Sequence, residues 1–373
     1  MTVLFWVSAL LIVYIYLGYP LLLKLLPKRP PSYPGWGGEW PLVTLLIPAF
    51  NEVEVIEKTL RNKLEQDYPS DRLEIIVISD ESTDGTDERV AAIAQEDPRV
   101  KLLRQEPRQG KTAGLNKAVA QASGEFIVFS DANSQFGPGA LKALVNGFSD
   151  PQVGYVTGKM VYVNETGNLV GDGCSAYMRY ENTLRQLETQ VSSVVGVDGG
   201  IDAMRRDLYQ SMNPDQLPDF VQPLKVIAQG RRVVYQEQAL LQEESLTDSE
   251  SEFRMRVRVS LRALWALWDM KQLFNPKNHG LFSLQLFSHK LLRYLAFIPL
   301  LSALLTSLVL ADYHWLYALA ALAQLVFYAT AGYAALSPEG QKNALCKLAF
   351  YFSLINLAAL VASLKFLKGD KIV

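Results

Sequence analysis

Two rhythms divide the chain. Long uncharged runs lie at its two ends, and between them short apolar runs alternate with amphipathic stretches. In the middle, "LVTLLIPAF" (42 to 50), "LEIIVISD" (73 to 80), "VKLLRQ" (100 to 105) and "EFIVFSDAN" (125 to 133) are continuous apolar runs of strand length. "EVEVIEKTLRNKLEQ" (52 to 66), "TDERVAAIAQE" (86 to 96) and "KTAGLNKAVAQA" (111 to 122) carry apolar positions at helical spacing. Strands without polar alternation are covered on both faces. The pattern therefore predicts a mostly parallel α/β sheet with helices on either side. Ligands of such sheets sit beyond the carboxyl ends of the strands. Asn51 and Glu52, Asp80 and Glu81, and Asp131 and Asn133 all fall there.

At the N-terminus, Thr2 to Leu23 is uncharged over the roughly 20 residues a bilayer-spanning helix needs. A secretory signal would show a basic residue before this run and a small-residue cleavage pattern after it; neither is present. Lys24, Lys28 and Arg29 follow at once, so the positive-inside rule puts the N-terminus outside and the chain beyond it in the cytoplasm. Three further blocks, Leu291 to Ala311, Trp315 to Leu336 and Leu345 to Leu367, are also long enough to cross. Four crossings leave the C-terminus outside, yet Lys365, Lys368 and Lys371 argue for the inside. Either the short tail breaks the charge rule or one block does not fully cross.

The expected organisation is a transmembrane helix over 1–26, a Pro- and Gly-rich linker over 27–41, and an α/β domain over 42–249. Amphipathic interface helices follow over 250–290 and three transmembrane helices over 291–373. Within 252 to 273, Arg254, Arg258 and Arg262 recur every four positions, with Val257, Leu261, Trp265 and Trp268 interleaved. This pattern fits a helix in the membrane interface or a packed surface helix.

Composition narrows the function. A net charge of −2 and a sequence pI near 6.0 exclude a nucleic-acid binder that works through bulk charge. Cys174 and Cys346 stand alone and offer no metal spacing. His279, His289 and His314 are scattered and read as structural or interfacial. Tyr177, Tyr180 and Glu181 are an acceptor platform or ordinary helix packing, and Glu243 and Glu244 read as a solvated turn.

Each polar strand end has a bland reading as a turn or helix cap. Their order is more specific. PAFNE, DESTDGT, QGKTAGLN, SDAN and the "PDF" around Asp219, flanked by apolar spans, resemble the membrane-anchored family 2 glycosyltransferases over the whole middle region. The resemblance implies a GT-A, Rossmann-like fold and inverting transfer of a sugar from a nucleotide diphosphate. By it, Pro48, Ala49, Glu52, Asp80, Lys111 and Asp131 contact the donor, and Asp131 with Asn133 takes the place of the family's Asp-x-Asp for Mg²⁺ or Mn²⁺. Asn133 is a departure that removes one charge from the metal site. Asp219 matches the catalytic base, although Pro218 stands where the family usually has an acidic residue. Gly199 and Gly200, in "VDGGIDAMRR", match the acceptor side. The family's processive members carry Gln-x-x-Arg-Trp; here Arg254 and Arg258 stand in that region as candidate diphosphate contacts.

The resulting expectation is a multi-pass protein of the inner (plasma) membrane, with a cytoplasmic catalytic domain and a bilayer as partner. Its donor is a nucleotide sugar, with a lean towards UDP, and its acceptor a membrane-associated lipid or glycan. A processive polysaccharide synthase and a silent nucleotide-sugar-binding scaffold are the alternatives. A homo-oligomer stays open, since four spans are few for a one-chain channel.

Overall fold

The computed structural model describes residues 1–163, 169–244, 249–337 and 339–371. It divides into two compact units, one of Lys28–Val161 with Glu188–Glu243 and one of Met1–Pro27, Tyr162–Leu187 and Glu244–Ile372.

The first unit is built on an eight-stranded sheet. Strands β1 (Val43–Ala49), β2 (Leu73–Ser79), β3 (Val100–Arg104) and β4 (Phe126–Phe129) pair in parallel in the order β3-β2-β1-β4. They match the four apolar runs. Leu45, Leu46, Ile47, Ile75, Val77, Phe126 and Val128 are fully buried, which is why no polar face interrupts them. Helices α1 (Ile56–Leu64), α2 (Thr86–Glu96) and α3 (Gly110–Gln121) link them. The first three strands are laid down outward from β1, and β4 returns to its other side. Strand order therefore reverses between β1 and β4, and the crevice beyond Ala49 and Phe129 is the topological switch point.

Beyond β4 the pairing turns antiparallel. Strands β5 (Gln135–Phe136), β6 (Val153–Val163), β7 (Asp202–Arg205) and β8 (Arg232–Glu244) complete the order β4-β7-β6-β8-β5. Register places Asp202 between Phe129 of β4 and Thr157 of β6, in the middle of the sheet. The Pro- and Gly-rich segment 28–41 has no helix or strand, but it is held down along its length. Ser32 N–H donates to Asp150 Oδ2 (3.1 Å), Trp36 N–H donates to Asn146 Oδ1 (3.1 Å), and the Trp36 ring meets Phe126 edge-on.

In the second unit, Thr2–Leu25, Trp315–Leu336 and Ala344–Lys368 are long and apolar enough to cross a membrane. The block expected over Leu291–Ala311 is not one straight helix. Leu281–Tyr294 and Phe297–Val309 meet at 58°. Pro299 explains the break: it has no N–H to give the carbonyl of Leu295, four residues back, so the helical ladder is interrupted there. The stripe on Ser249–Asp269 packs Val257, Leu261 and Leu264 against Ala358 and Ala362 of the last helix, and Trp265 against Phe366, while Trp268 is exposed. Glu181 is buried and engaged by Arg293 and by His289 Nε2 (3.2 Å), and Tyr180 donates to the Tyr16 carbonyl (3.0 Å). These contacts are helix packing. Cys346 is a free buried thiol; the side chain of Cys174 lies outside the described residues.

Candidate active site

The "SDAN" turn is clamped from behind by α1. Thr59 Oγ1 donates to the Ala132 carbonyl (2.6 Å), Lys63 Nζ to the Ser134 carbonyl (2.7 Å), and Asn62 exchanges two bonds with the backbone of Phe136. Lys63 is fully buried, with its ammonium 3.5 Å from the centre of the Phe136 ring. Burial pushes its pKa well down, against the pull of Asp131. With the turn's backbone tied down in this way, Asp131 and Asn133 project from a fixed base.

Asp131 faces Lys111, in the first turn of α3: Lys111 Nζ donates to Asp131 Oδ1 at 2.6 Å. Desolvation opposes the lysine's charge, but Asp131 and Asp219 outweigh it and hold the pKa above its ordinary value. Lys111 also lines a cleft with Pro48, Tyr155, Gly199, Asp202 and Asp219. The lysine thus brings the segments of Asp131 and Asp219 to one place.

Asp80 is placed differently. Its carboxylate accepts from Gln105 Nε2 (2.5 Å), from the N–H groups of Gln109 (2.9 Å) and Gly110 (3.0 Å), and from Arg108 Nε (3.3 Å). It ties down the loop that leads into α3 and Lys111. Arg108 lies over the half-exposed ring of Phe50, 3.6 Å from its centre. Beside it, Asn51 and Glu81 adopt the left-handed backbone region, with φ of 56° and 63°. Such conformations in non-glycine residues concentrate at functional loops. Pro48 and Ala49 end β1, and the Glu52 N–H donates to Thr86 Oγ1 (2.8 Å). Burial, with Asp84 and Asp131 nearby, raises the Glu52 carboxyl's pKa.

Gly199 and Gly200 lie between the two carboxylates. A Cβ on Gly199 would sit 2.6 Å from Asp219 Oδ2, and one on Gly200 would sit 3.1 Å from Ser134 Oγ and 3.5 Å from Asp131 Oδ2. Asp219 is in the first turn of the helix Pro218–Ala228, whose opening Pro218 suits a position that needs no N–H partner.

Two residues of the site escape a local reading. Glu243, read from the sequence as part of a solvated turn, lies on β8, half-buried beside the "SDAN" corner, with Oε1 3.5 Å from Asn133 Nδ2. Burial and the neighbouring Asp131 push its carboxyl up to about 7. The Glu244 side chain lies outside the described residues. Asp202 is fully buried and its Oδ2 accepts from Tyr155 OH (2.9 Å) and Gly199 N–H (3.0 Å). Burial first, then Asp198 and Asp219, lifts it to about 7 against hydrogen bonds from Thr157 and Tyr155. The signal available for Asp202 was an acidic residue inside an apolar strand motif.

Asp131, Asn133 and Glu243 make an oxygen-donor set of the kind hard divalent cations take. Among the described residues no group of three or more His, Cys, Asp or Glu side chains is arranged to hold a metal ion. Burial first, and then the like charge of Asp131, suppresses ionisation of Glu243, and a cation bound at this corner would offset both. The donor chemistry therefore fits Mg²⁺ or Mn²⁺. Arg254 and Arg258 belong to the other unit, exposed on Ser249–Asp269, where Arg254 pairs with Glu250 at 2.6 Å.

This sheet order, with its acidic turn at the switch point, is a GT-A fold. A mannosyltransferase from Pyrobaculum calidifontis, solved in complex with GDP-Man and Mn²⁺, superposes with a TM-score of 0.72 over 98% of this chain and 99% of its own, at 23% identity. Residues 44–212 match the sequence model of glycosyl transferase family 2. It is 30% identical over 176 residues to the beta-monoglucosyldiacylglycerol synthase of Nostoc, covering 47% of this chain and 38% of the relative. It is 36% identical over 106 residues to the GalNAc(5)-diNAcBac-PP-undecaprenol beta-1,3-glucosyltransferase of Campylobacter jejuni, covering 28% and 34%. The chain thus spans less than two fifths of the length of these curated relatives.

Proposed function

We propose that the protein transfers a sugar, with inversion, from a nucleotide diphosphate to a membrane-associated lipid or glycan acceptor. One observation carries this reading: Lys111 touches Asp131 on one side and shares a cleft with Asp219 on the other. Asp219 accepts the proton of the acceptor hydroxyl as the new bond to the anomeric carbon forms, which requires hydrogen-bond reach of that hydroxyl. Lys111 offsets the charge that develops on the departing diphosphate. Pro48, Ala49 and Glu52 border the nucleotide. A base that reaches Asp80 displaces the exposed Arg108 from it. Asp131 and Asn133, with Glu243 beside them, are the residues that would hold Mg²⁺ or Mn²⁺, and a bound cation supplies further neutralisation of the diphosphate. Gly199 and Gly200 wall the acceptor side, and Arg254 and Arg258 are diphosphate contacts in this reading.

The lipid-linked names of the Nostoc and Campylobacter relatives support a membrane acceptor, and a uridine donor is the reading carried forward from the sequence. We place the protein in the plasma membrane with the catalytic unit in the cytoplasm. The bent pair Leu281–Tyr294 and Phe297–Val309 supports a re-entrant segment there. Three full crossings return the tail, with Lys365, Lys368 and Lys371, to the cytoplasmic side, as the positive-inside rule requires.

Purified protein in detergent, incubated with Mn²⁺, host membrane lipids and UDP-glucose, UDP-galactose, UDP-N-acetylglucosamine or GDP-mannose, tests the reading. Release of nucleoside diphosphate that Asp219→Asn abolishes, with nucleotide binding retained, is the expected result. An Asp219→Asn protein as active as the parent sinks it.

A further inference from the structure

We propose that Asp202 is a positioning residue for Asp219, with two joint tasks: it pins the Gly199 turn against which the Asp219 carboxylate rests, and it sets the charge beside that carboxylate. The inference builds on the reading of Asp219 as the base.

The contacts form a short chain. Asp202 Oδ2 receives Tyr155 OH from β6 at 2.9 Å and Gly199 N–H at 3.0 Å. Gly199 has a φ of +85°, and a Cβ on it would lie 2.6 Å from Asp219 Oδ2 and 2.9 Å from Asp219 Cβ. The glycine turn is therefore in close contact with the base, and Asp202 holds one of its N–H groups. Tyr155, Gly199, Asp202 and Asp219 line one cleft with Lys111. A neutral acceptor at 202 would be enough if anchoring the turn were the only task. A carboxyl, however, also sets the charge next to the base.

The ionisable and charged groups facing Asp202 are Tyr155 from β6, Asp198 from the loop before it, Asp219 from the helix Pro218–Ala228 and Lys111 from α3. Burial and the two aspartates hold Asp202 up to about 7. Near neutral pH it exchanges a proton within the cleft that Asp219 also lines. Protonated, Asp202 spares Asp219 a like charge; ionised, it places one beside it.

The experiment compares wild type, Asp202→Asn, Asp202→Ala and Asp219→Asn for nucleoside diphosphate release, with UDP-glucose, UDP-galactose, UDP-N-acetylglucosamine and GDP-mannose as donors and host membrane lipids as acceptor. Asparagine keeps an oxygen for the Tyr155 hydroxyl and the Gly199 N–H but cannot ionise. The wild-type kcat–pH profile is expected to show an inflection near neutrality that Asp202→Asn lacks, while Asp202→Asn keeps most of the plateau rate. Asp202→Ala frees the turn and is expected to lower kcat about 10- to 100-fold, with the donor KM within about twofold. An Asp202→Asn profile identical to the wild type overturns the proposal, as does a folded Asp202→Ala protein with wild-type kcat. Where Asp202→Ala does not fold, the asparagine profile decides alone. Inactive Asp219→Asn beside unaltered Asp202 variants rejects only this proposal. Active Asp219→Asn rejects the base assignment, and this proposal with it.

Discussion

Lys111 Nζ lies 2.6 Å from Asp131 Oδ1, joining the first turn of a helix to the turn after a strand. Both side chains stay more than a third exposed, at 39% and 36%. A pair in that setting contributes about 1 kcal/mol of stability or less. Lys111→Met is therefore expected to move the melting temperature by only a few degrees, yet to cut transfer at least about 10-fold. Thermal melts and initial rates on the same preparation separate the two effects.

The corner that Asp131 shares with Asn133 predicts a metal response. Asp131→Ala is expected to lose about 100-fold or more in Mn²⁺-dependent transfer, because it removes the one carboxylate of the pair. Asn133→Asp adds a second and is expected to lower the Mn²⁺ concentration needed for half-maximal rate. A Mn²⁺ titration of both variants reads this out. If Asn133→Asp required more Mn²⁺ than the parent, residue 133 would not be a ligand.

Gly199 tolerates no side chain. Its φ of +85° is strained for any L residue, and the added carbon of Gly199→Ala would meet Asp219 at 2.6 Å. We expect about 1 to 3 kcal/mol of destabilisation together with loss of transfer, measured by denaturant melts and product release. Gly35, which also has positive φ but open space around it, is the control for backbone strain alone.

Asp202 makes stability depend on pH in a definite direction. Its folded pKa, about 7, lies above the ordinary value of 3.8, so the folded state holds a proton that the unfolded chain releases. Between these two values the native state binds more protons than the unfolded state, and stability falls as pH rises. Glu243, raised from 4.5 to about 7, acts in the same direction. Melting temperature is expected to drop from about pH 5 to about pH 8, and Asp202→Asn to flatten part of that slope. An unchanged slope would mean that Asp202 is ionised throughout.

Much of the unit built on the eight-stranded sheet was legible because its signals are local. The apolar runs at 42–50, 73–80 and 125–133 became β1, β2 and β4 within a few residues at each end, and "TDERVAAIAQE" became α2 without shift. The acidic and amide residues at the strand ends sit at the switch point, since a parallel sheet places all its strand ends together. The break at Pro299 was also present in the sequence, but the apolar composition around it concealed it.

What the sequence determined by itself is what neighbours along the chain decide: which runs are strands, which are helices, and which polar residues fall just past a strand. Tertiary structure decided which distant carboxyls meet. Glu243 comes within 3.5 Å of Asn133 across 110 residues of chain, and Asp202 reaches Tyr155 across 47. Both depend on antiparallel register, which periodicity does not encode, because one face of a strand looks the same whichever partner covers it. The raised pKa values follow from the same cause. Burial and charge proximity are properties of the packed molecule and have no counterpart in residue order.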